Sequence, residues 1–128
     1  MKLQLNTIIL YVQDPQKLKV FYKDVLHLEV VEEDAVWVLL KAGDAYIGLH
    51  KMGDQYLDKI SNGYLFDNNT KIVFELHEDI NAVRSQLLAQ QVPMREIKTF
   101  EHYNYWLCDG TDPEGNVFQL KQQKRNSE

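Results

Sequence analysis

A chain of 128 residues is long enough to bury a core as one domain without disulfides or a structural metal. Its formal net charge of -5 argues against the broad basic footprint of a nucleic-acid binder, and its single cysteine, Cys108, excludes an internal disulfide framework. The opening Met1-Lys2-Leu3-Gln4-Leu5 lacks the long apolar run of a signal peptide or membrane span, and Lys121 to Arg125 is a short basic end rather than a patch, so a cytoplasmic protein with neither nucleic-acid nor membrane partners is expected.

Leu5 to Val12 is a β-rich apolar run that stops at Asp14-Pro15, an N-cap followed by proline at the first helical position. Leu18, Phe21, Tyr22 and Val25 then recur at the spacing of an amphipathic helix. Leu28 to Val31 and Val36 to Lys41 read as strands, and Ala42-Gly43-Asp44 as a hairpin turn into Ala45 to His50. A polar stretch from Met52 to Asn69 follows as a linker, with a short helical turn around Tyr56 to Ile60.

The order of elements then repeats. Lys71 to Leu76 is a strand, Asp79 an N-cap, and Ile80, Val83, Leu87 and Leu88 a second amphipathic stripe that Val92-Pro93 terminates. Met94 to Thr99 reads as a weak strand and Tyr103 to Thr111 as a stronger one. Asp112-Pro113-Glu114-Gly115-Asn116 is a tight turn, with proline fixing the first corner and Gly115-Asn116 tolerating positive φ, and it feeds the strand Val117 to Lys121. The two N-cap aspartates stand about 65 residues apart and the hairpin glycines Gly43 and Gly115 about 72, with little identity between the halves, so what repeats is element order. The expected fold class is α+β, one domain over 1–128. Two βαβββ modules, about 4–52 and about 70–122 with a linker at about 53–69, form curved mixed sheets around a cleft.

The runs TIILYVQDPQKLKVFYKDVLHLEVV, IVFELHEDINAVRSQLLAQQV and DPEGNVFQL together resemble the vicinal-oxygen-chelate superfamily, which contains glyoxalase I, fosfomycin-resistance enzymes, extradiol dioxygenases and bleomycin-binding resistance proteins. The resemblance covers nearly the whole chain outside the linker and the last few residues. It implies the glyoxalase/bleomycin resistance/dioxygenase fold and leaves the activity open, because the superfamily holds several chemistries and pure binders.

In metal-dependent members four inward-pointing strand positions chelate a divalent ion, usually through His or Glu. Carried over, the resemblance puts these positions at Thr7, Gly48, Lys71 and Gln119, the third requiring a one-residue insertion among His77, Glu78 and Asp79. That set has no imidazole and no carboxylate, and its ammonium repels a cation, so no metal and no other cofactor is expected. Strand alternation under the same alignment turns Thr7, Ile9 and Tyr11 toward the cavity, with Tyr46, Gly48 and His50, then Lys71, Val73 and Glu75, then Val117, Gln119 and Lys121. Trp37, Tyr103, Tyr105 and Trp106 fall near its rim. Aromatic surface with a few polar groups suits an organic small molecule, and Tyr11, Trp37, Tyr46, His50, Glu75, Trp106 and Gln119 are the candidate ligand-binding residues.

Each has a plainer reading. His50 either ends a strand in solvent or faces the ligand, and Glu75 is either half of a structural ion pair with Lys71, two positions away on the same strand face, or a general base. His27 reads as a dipole contact at a helix end, and His77 and His102 as exposed loop residues. Cys108, beside Trp106 and Leu107, reads as packing rather than as a nucleophile, and the aromatics also suit a core or a dimer interface. No phosphate-binding glycine loop and no Gly-x-Ser-x-Gly elbow occurs, which sets aside nucleotide enzymes and serine hydrolases. Two classes remain. One is a metal-free binder like the bleomycin-resistance branch, a homodimer sequestering an aromatic or amphipathic compound such as an antibiotic or toxin. The alternative is a glyoxalase-like lyase or isomerase, metal-dependent or with Glu75 as base.

Overall fold

The Asp14 carboxylate accepts the backbone N–H groups of Gln16 and Lys17 at 3.1 and 3.2 Å, and this cap, with Pro15 at the first helical position, starts the first helix, α1 (Pro15–Val20). In this computed structural model, which describes residues 1–2, 4–60, 63–66, 70–126 and 128, α1 runs directly into a π-helical turn, Phe21–Val25. Leu18, Phe21 and Tyr22 are buried as their spacing predicts, whereas Val25 is only half-buried, because the i→i+5 hydrogen bond closing at Leu26 carries it off the stripe. The turn ends at His27, which takes a left-handed φ of 63° while the Leu28 N–H returns to the Tyr22 carbonyl. His27 therefore serves as a backbone cap.

The chain divides into two compact units, Met1–Tyr64 and Leu65–Glu128, each built on its own sheet. The first sheet holds β1 (Thr7–Val12), β2 (Glu29–Glu33), β3 (Trp37–Ala42) and β4 (Ala45–Lys51) in the order β1-β4-β3-β2, with β1 parallel to β4 and the other neighbours antiparallel. Gly43, at φ +61°, makes the first corner of the two-residue β3–β4 hairpin. Leu10, Val12, Val38, Leu40, Ile47 and Leu49 form the buried face, against which α1 packs on β3 and β4. The linker's helical turn, α2, spans Asp54–Leu57, slightly earlier than its sequence suggests.

The second sheet holds β5 (Lys71–Leu76), β6 (Tyr105–Thr111) and β7 (Val117–Gln123) in the order β5-β7-β6, parallel then antiparallel. Its helix, α3 (Ile80–Ala89), is capped by Asp79, and the Ile80 N–H donates to the buried Gln122 side chain of β7 at 2.7 Å. α3 ends in a Schellman arrangement, with Gln91 at φ +64°, its N–H on the Leu88 carbonyl and the Val92 N–H on the Leu87 carbonyl. Leu87 and Val92 are both buried there, joining Ile72, Ile80, Cys108, Phe118 and Leu120 in the core.

Two expectations for this unit need correction. Met94 to Thr99 is not a strand but two isolated bridges, Met94 to Gly110 and Lys98 to Leu107, one residue out of register with each other. Between them the Arg95 carbonyl accepts Arg84 Nε at 2.9 Å and the Cys108 thiol at 3.3 Å, so it is withdrawn from any ladder. The strand expected from Tyr103 begins at Tyr105, because residues 100–103 form a turn with His102 at φ +63°. The Asp112–Asn116 turn is present and buried. One Asp112 oxygen accepts the backbone N–H groups of Glu114 and Asn116, both at 2.9 Å, and Gly115 sits at φ +89° where a Cβ would crowd the Phe66 carbonyl.

Candidate functional site

Register fixes which side chains share the face of the first sheet turned away from α1. Thr7, Ile9 and Tyr11 of β1 pair with Tyr46, Gly48 and His50 of β4, which pair with Lys41, Leu39 and Trp37 of β3. Since paired residues project to the same side, Tyr11, Trp37, Tyr46 and His50 stand on one face. Ile9 and Tyr11 are 46% and 63% exposed, a notable amount of apolar surface on a strand whose alternate residues are buried.

Gly48 organises this face. A Cβ built there would collide with the six-membered ring of the Trp37 indole and press on Ile9 Cγ1 at 3.2 Å, so the indole lies in the space that a side chain would fill. His50 is flanked by Trp37, at 6.0 Å between ring centroids, and by Tyr11, at 5.4 Å. Its Nδ1 lies 2.7 Å from the Lys51 carbonyl oxygen, which can only accept, so Nδ1 is the donor of that bond. Two aromatic rings flanking an imidazole make a surface suited to a planar compound.

The second sheet presents a polar face opposite α3. Lys71, Val73 and Glu75 pair with Val117, Gln119 and Lys121, and these with Thr111, Asp109 and Leu107. Lys71 Nζ reaches across β7 to donate to Asp109 Oδ2 at 2.8 Å, and Gln119 Nε2 donates to Asp109 Oδ1 at 2.9 Å. Burial opposes ionisation of Asp109, but hydrogen bonds from Lys71 and Gln119, with the charges of Lys71 and Lys98, outweigh it and hold the carboxyl below its ordinary range. Lys71 thus pairs with Asp109 and not with Glu75, which is exposed beside Lys121. Lys121 Nζ lies 4.1 Å from the centroid of the Tyr105 ring.

Trp106 belongs elsewhere. It pairs with Gln122, hence lies on the α3 side of the sheet, donates to Glu128 at 2.9 Å and sits under Lys124. A polar cleft lined by residues including His102, Tyr103, Lys124 and Arg125 holds none of the candidate ligand-binding residues. Asp109 was missed by sequence reasoning, although pairing outward from the Asp112–Asn116 turn sets it opposite Gln119.

The four positions that the resemblance assigns to metal chelation do not fit a divalent ion. The Thr7 hydroxyl donates to the Asn6 side chain, Gly48 lies beneath an indole, and Lys71 and Gln119 are donors to a shared carboxylate. Among the described residues no group of three His, Cys, Asp or Glu side chains is placed to hold a metal. Cys108 is fully buried, and burial is the main cause that pushes its thiol upward in pKa, the opposite of nucleophile activation. No helix among the described residues is long and apolar enough to cross a membrane.

No family model matches the chain, and no curated protein does. Solved structures do. An integron cassette protein from the mobile metagenome of V. cholerae is 21% identical over 97% of this chain and 98% of its own, with a TM-score of 0.74. Lactoylglutathione lyase from Agrobacterium tumefaciens is 17% identical over 93% and 92%, with a TM-score of 0.71. An antibiotic-binding protein from a Streptomyces species is 18% identical over 96% and 98%, with a TM-score of 0.72. The fold is therefore α+β of the glyoxalase type.

Proposed function

We propose that this chain is a metal-free small-molecule binder that holds a planar aromatic or amphipathic compound against the face formed by Tyr11, Trp37, Tyr46 and His50, as a homodimer. The observation that carries this reading is the Trp37 indole lying over Gly48, where a ligating side chain would otherwise stand. It supplies aromatic surface in place of a metal ligand. The misfit of Lys71 and Gln119 to a cation points the same way, and the antibiotic-binding protein of similar fold makes sequestration of an antibiotic or toxin the role to test first.

The experiment is a compound screen read by Trp37 fluorescence in a Trp106→Phe background, so that only the indole on the candidate face reports. Planar hits should quench it, and Tyr11→Ala or Tyr46→Ala should weaken them by about 1–3 kcal/mol, the range for losing a buried aromatic contact. Hits that bind both variants as tightly as the parent would place the site elsewhere. A stoichiometric divalent ion in protein purified without chelators would overturn the metal-free part. Loss of turnover in Glu75→Gln with substrate binding retained would favour the lyase or isomerase.

A further inference from the structure

Asp109 ties two neighbouring side chains down in a way that leaves each with one kind of hydrogen-bonding capacity. A carboxylate only accepts, so the Gln119 amide must turn its NH2 toward Asp109 Oδ1, and its Oε1 is left as an acceptor. Lys71 spends one N–H on Asp109 Oδ2, and among the described residues its other two donors have no partner. The Lys71 side chain is 40% exposed while the Asp109 side chain is 12% exposed. Asp109 is thus shielded, and the groups it orients are offered outward on the face where Val73 is 51% exposed. Both partners hang on the two oxygens of a single carboxylate, which keeps the offered donor and the offered acceptor side by side.

We infer that Lys71 and Gln119, positioned by Asp109, form a donor–acceptor pair that recognises a carboxamide or lactam group on a small molecule. Such a group carries an acceptor oxygen and an N–H donor on one carbonyl carbon, so its oxygen meets the ammonium and its N–H meets Gln119 Oε1. A carboxylate fits the pair less well. One of its oxygens satisfies Lys71, the other confronts the Gln119 oxygen, and the charge of Asp109 already neutralises the ammonium that would attract it. This inference goes beyond the aromatic-face reading, because it assigns a polar recognition site to the second sheet taken by itself.

Benzamide and benzoate, which share a ring and differ in this group, test it in the isotopically labelled full chain. Benzamide should shift the Gln119 side-chain NH2 resonances and those of Lys71, and should bind about tenfold more tightly than benzoate, the factor that one added net hydrogen bond supplies. Asp109→Asn frees the Lys71 charge and unlocks the Gln119 amide, so it should reverse the preference. Gln119→Leu, which removes the acceptor and keeps the ion pair, should erase the preference and keeps the test decisive where Asp109→Asn does not fold. Equal binding of the two compounds to the parent protein, or no shift at Lys71 and Gln119, overturns the inference. Benzamide shifting only Tyr11, Trp37 and His50 would overturn it while leaving the aromatic-face reading intact, and shifts at Lys71 and Gln119 alone would support it whatever binds the aromatic face.

Discussion

Gly48 and Trp37 show how one missing side chain shapes a surface. An indole can lie flat on a sheet only where the residue beneath it has no Cβ, so the pair is a single device. Gly48→Ala should therefore cost about 1–3 kcal/mol in chemical denaturation, the usual penalty for an added methyl in a filled space, and should shift Trp37 emission to longer wavelength as the ring lifts into water. In a Trp37→Ala background most of that cost should vanish, and a penalty that persists in full would show that the glycine serves something other than the indole. Asp109 makes a different prediction. Its folded pKa lies below the unfolded value, so the stability it contributes is complete at neutral pH, and it is lost as the pH falls below about 4 toward the folded value. Asp109→Asn should be less stable than the parent at pH 7, and the gap should narrow as the pH falls from neutral toward the folded value. A gap that stays constant across that range would mean that the ionised carboxyl is not what Lys71 and Gln119 hold.

At the scale of elements, local signals were sufficient wherever a single segment determined its own conformation. Asp14-Pro15 and Asp79 start their helices, Lys71–Leu76 is a strand with the bounds that its alternation suggests, and the Asp112–Asn116 turn closes on its own side chains. What escaped was set by neighbours. Leu18, Phe21 and Tyr22 fit an α and a π register equally well, so the π-helical turn is invisible until Leu26 bonds back to Phe21. The 94–99 segment has strand-like residues but loses the Arg95 carbonyl to Arg84 and Cys108. The cap of α3 allows a direct test of local energetics. Gln91 holds a left-handed φ of 64° at a position where glycine is strongly favoured, and Gln91→Gly should raise stability by about 0.5–1 kcal/mol because removing the Cβ relieves strain. An unchanged or lower denaturation midpoint would show that the glutamine side chain contributes more than its backbone strain costs.

At the scale of the whole molecule, the shared face of the first sheet was legible in the sequence and the Lys71–Asp109 pair of the second was not, for a reason that lies in strand order. Alternation alone puts Tyr46 and His50 on one side of β4, and the registers of β1 and β3 bring Tyr11 and Trp37 to the same side. The Lys71–Asp109 pair needs the knowledge that β7 lies between β5 and β6. The lysine then spans two strand spacings, about 10 Å, to reach a carboxylate on the far strand rather than Glu75, four residues along its own. Strand order also bears on assembly. β1 is an edge strand of the first sheet and β5 an edge strand of the second, and each carries exposed apolar side chains, Ile9 and Tyr11 on one and Val73 on the other. Open edges with apolar residues favour pairing with another chain, and closed two-fold dimers are the commonest outcome. Light scattering at micromolar concentration should therefore give about twice the 15.0 kDa chain mass. Ile9→Lys or Val73→Lys, which set a charge on these edges, should move the population toward monomer without unfolding it, since both side chains are already half in solvent. A monomer mass at every accessible concentration would remove any ligand site shared between two subunits, and the Tyr11 and Trp37 face would then have to bind its compound within one chain.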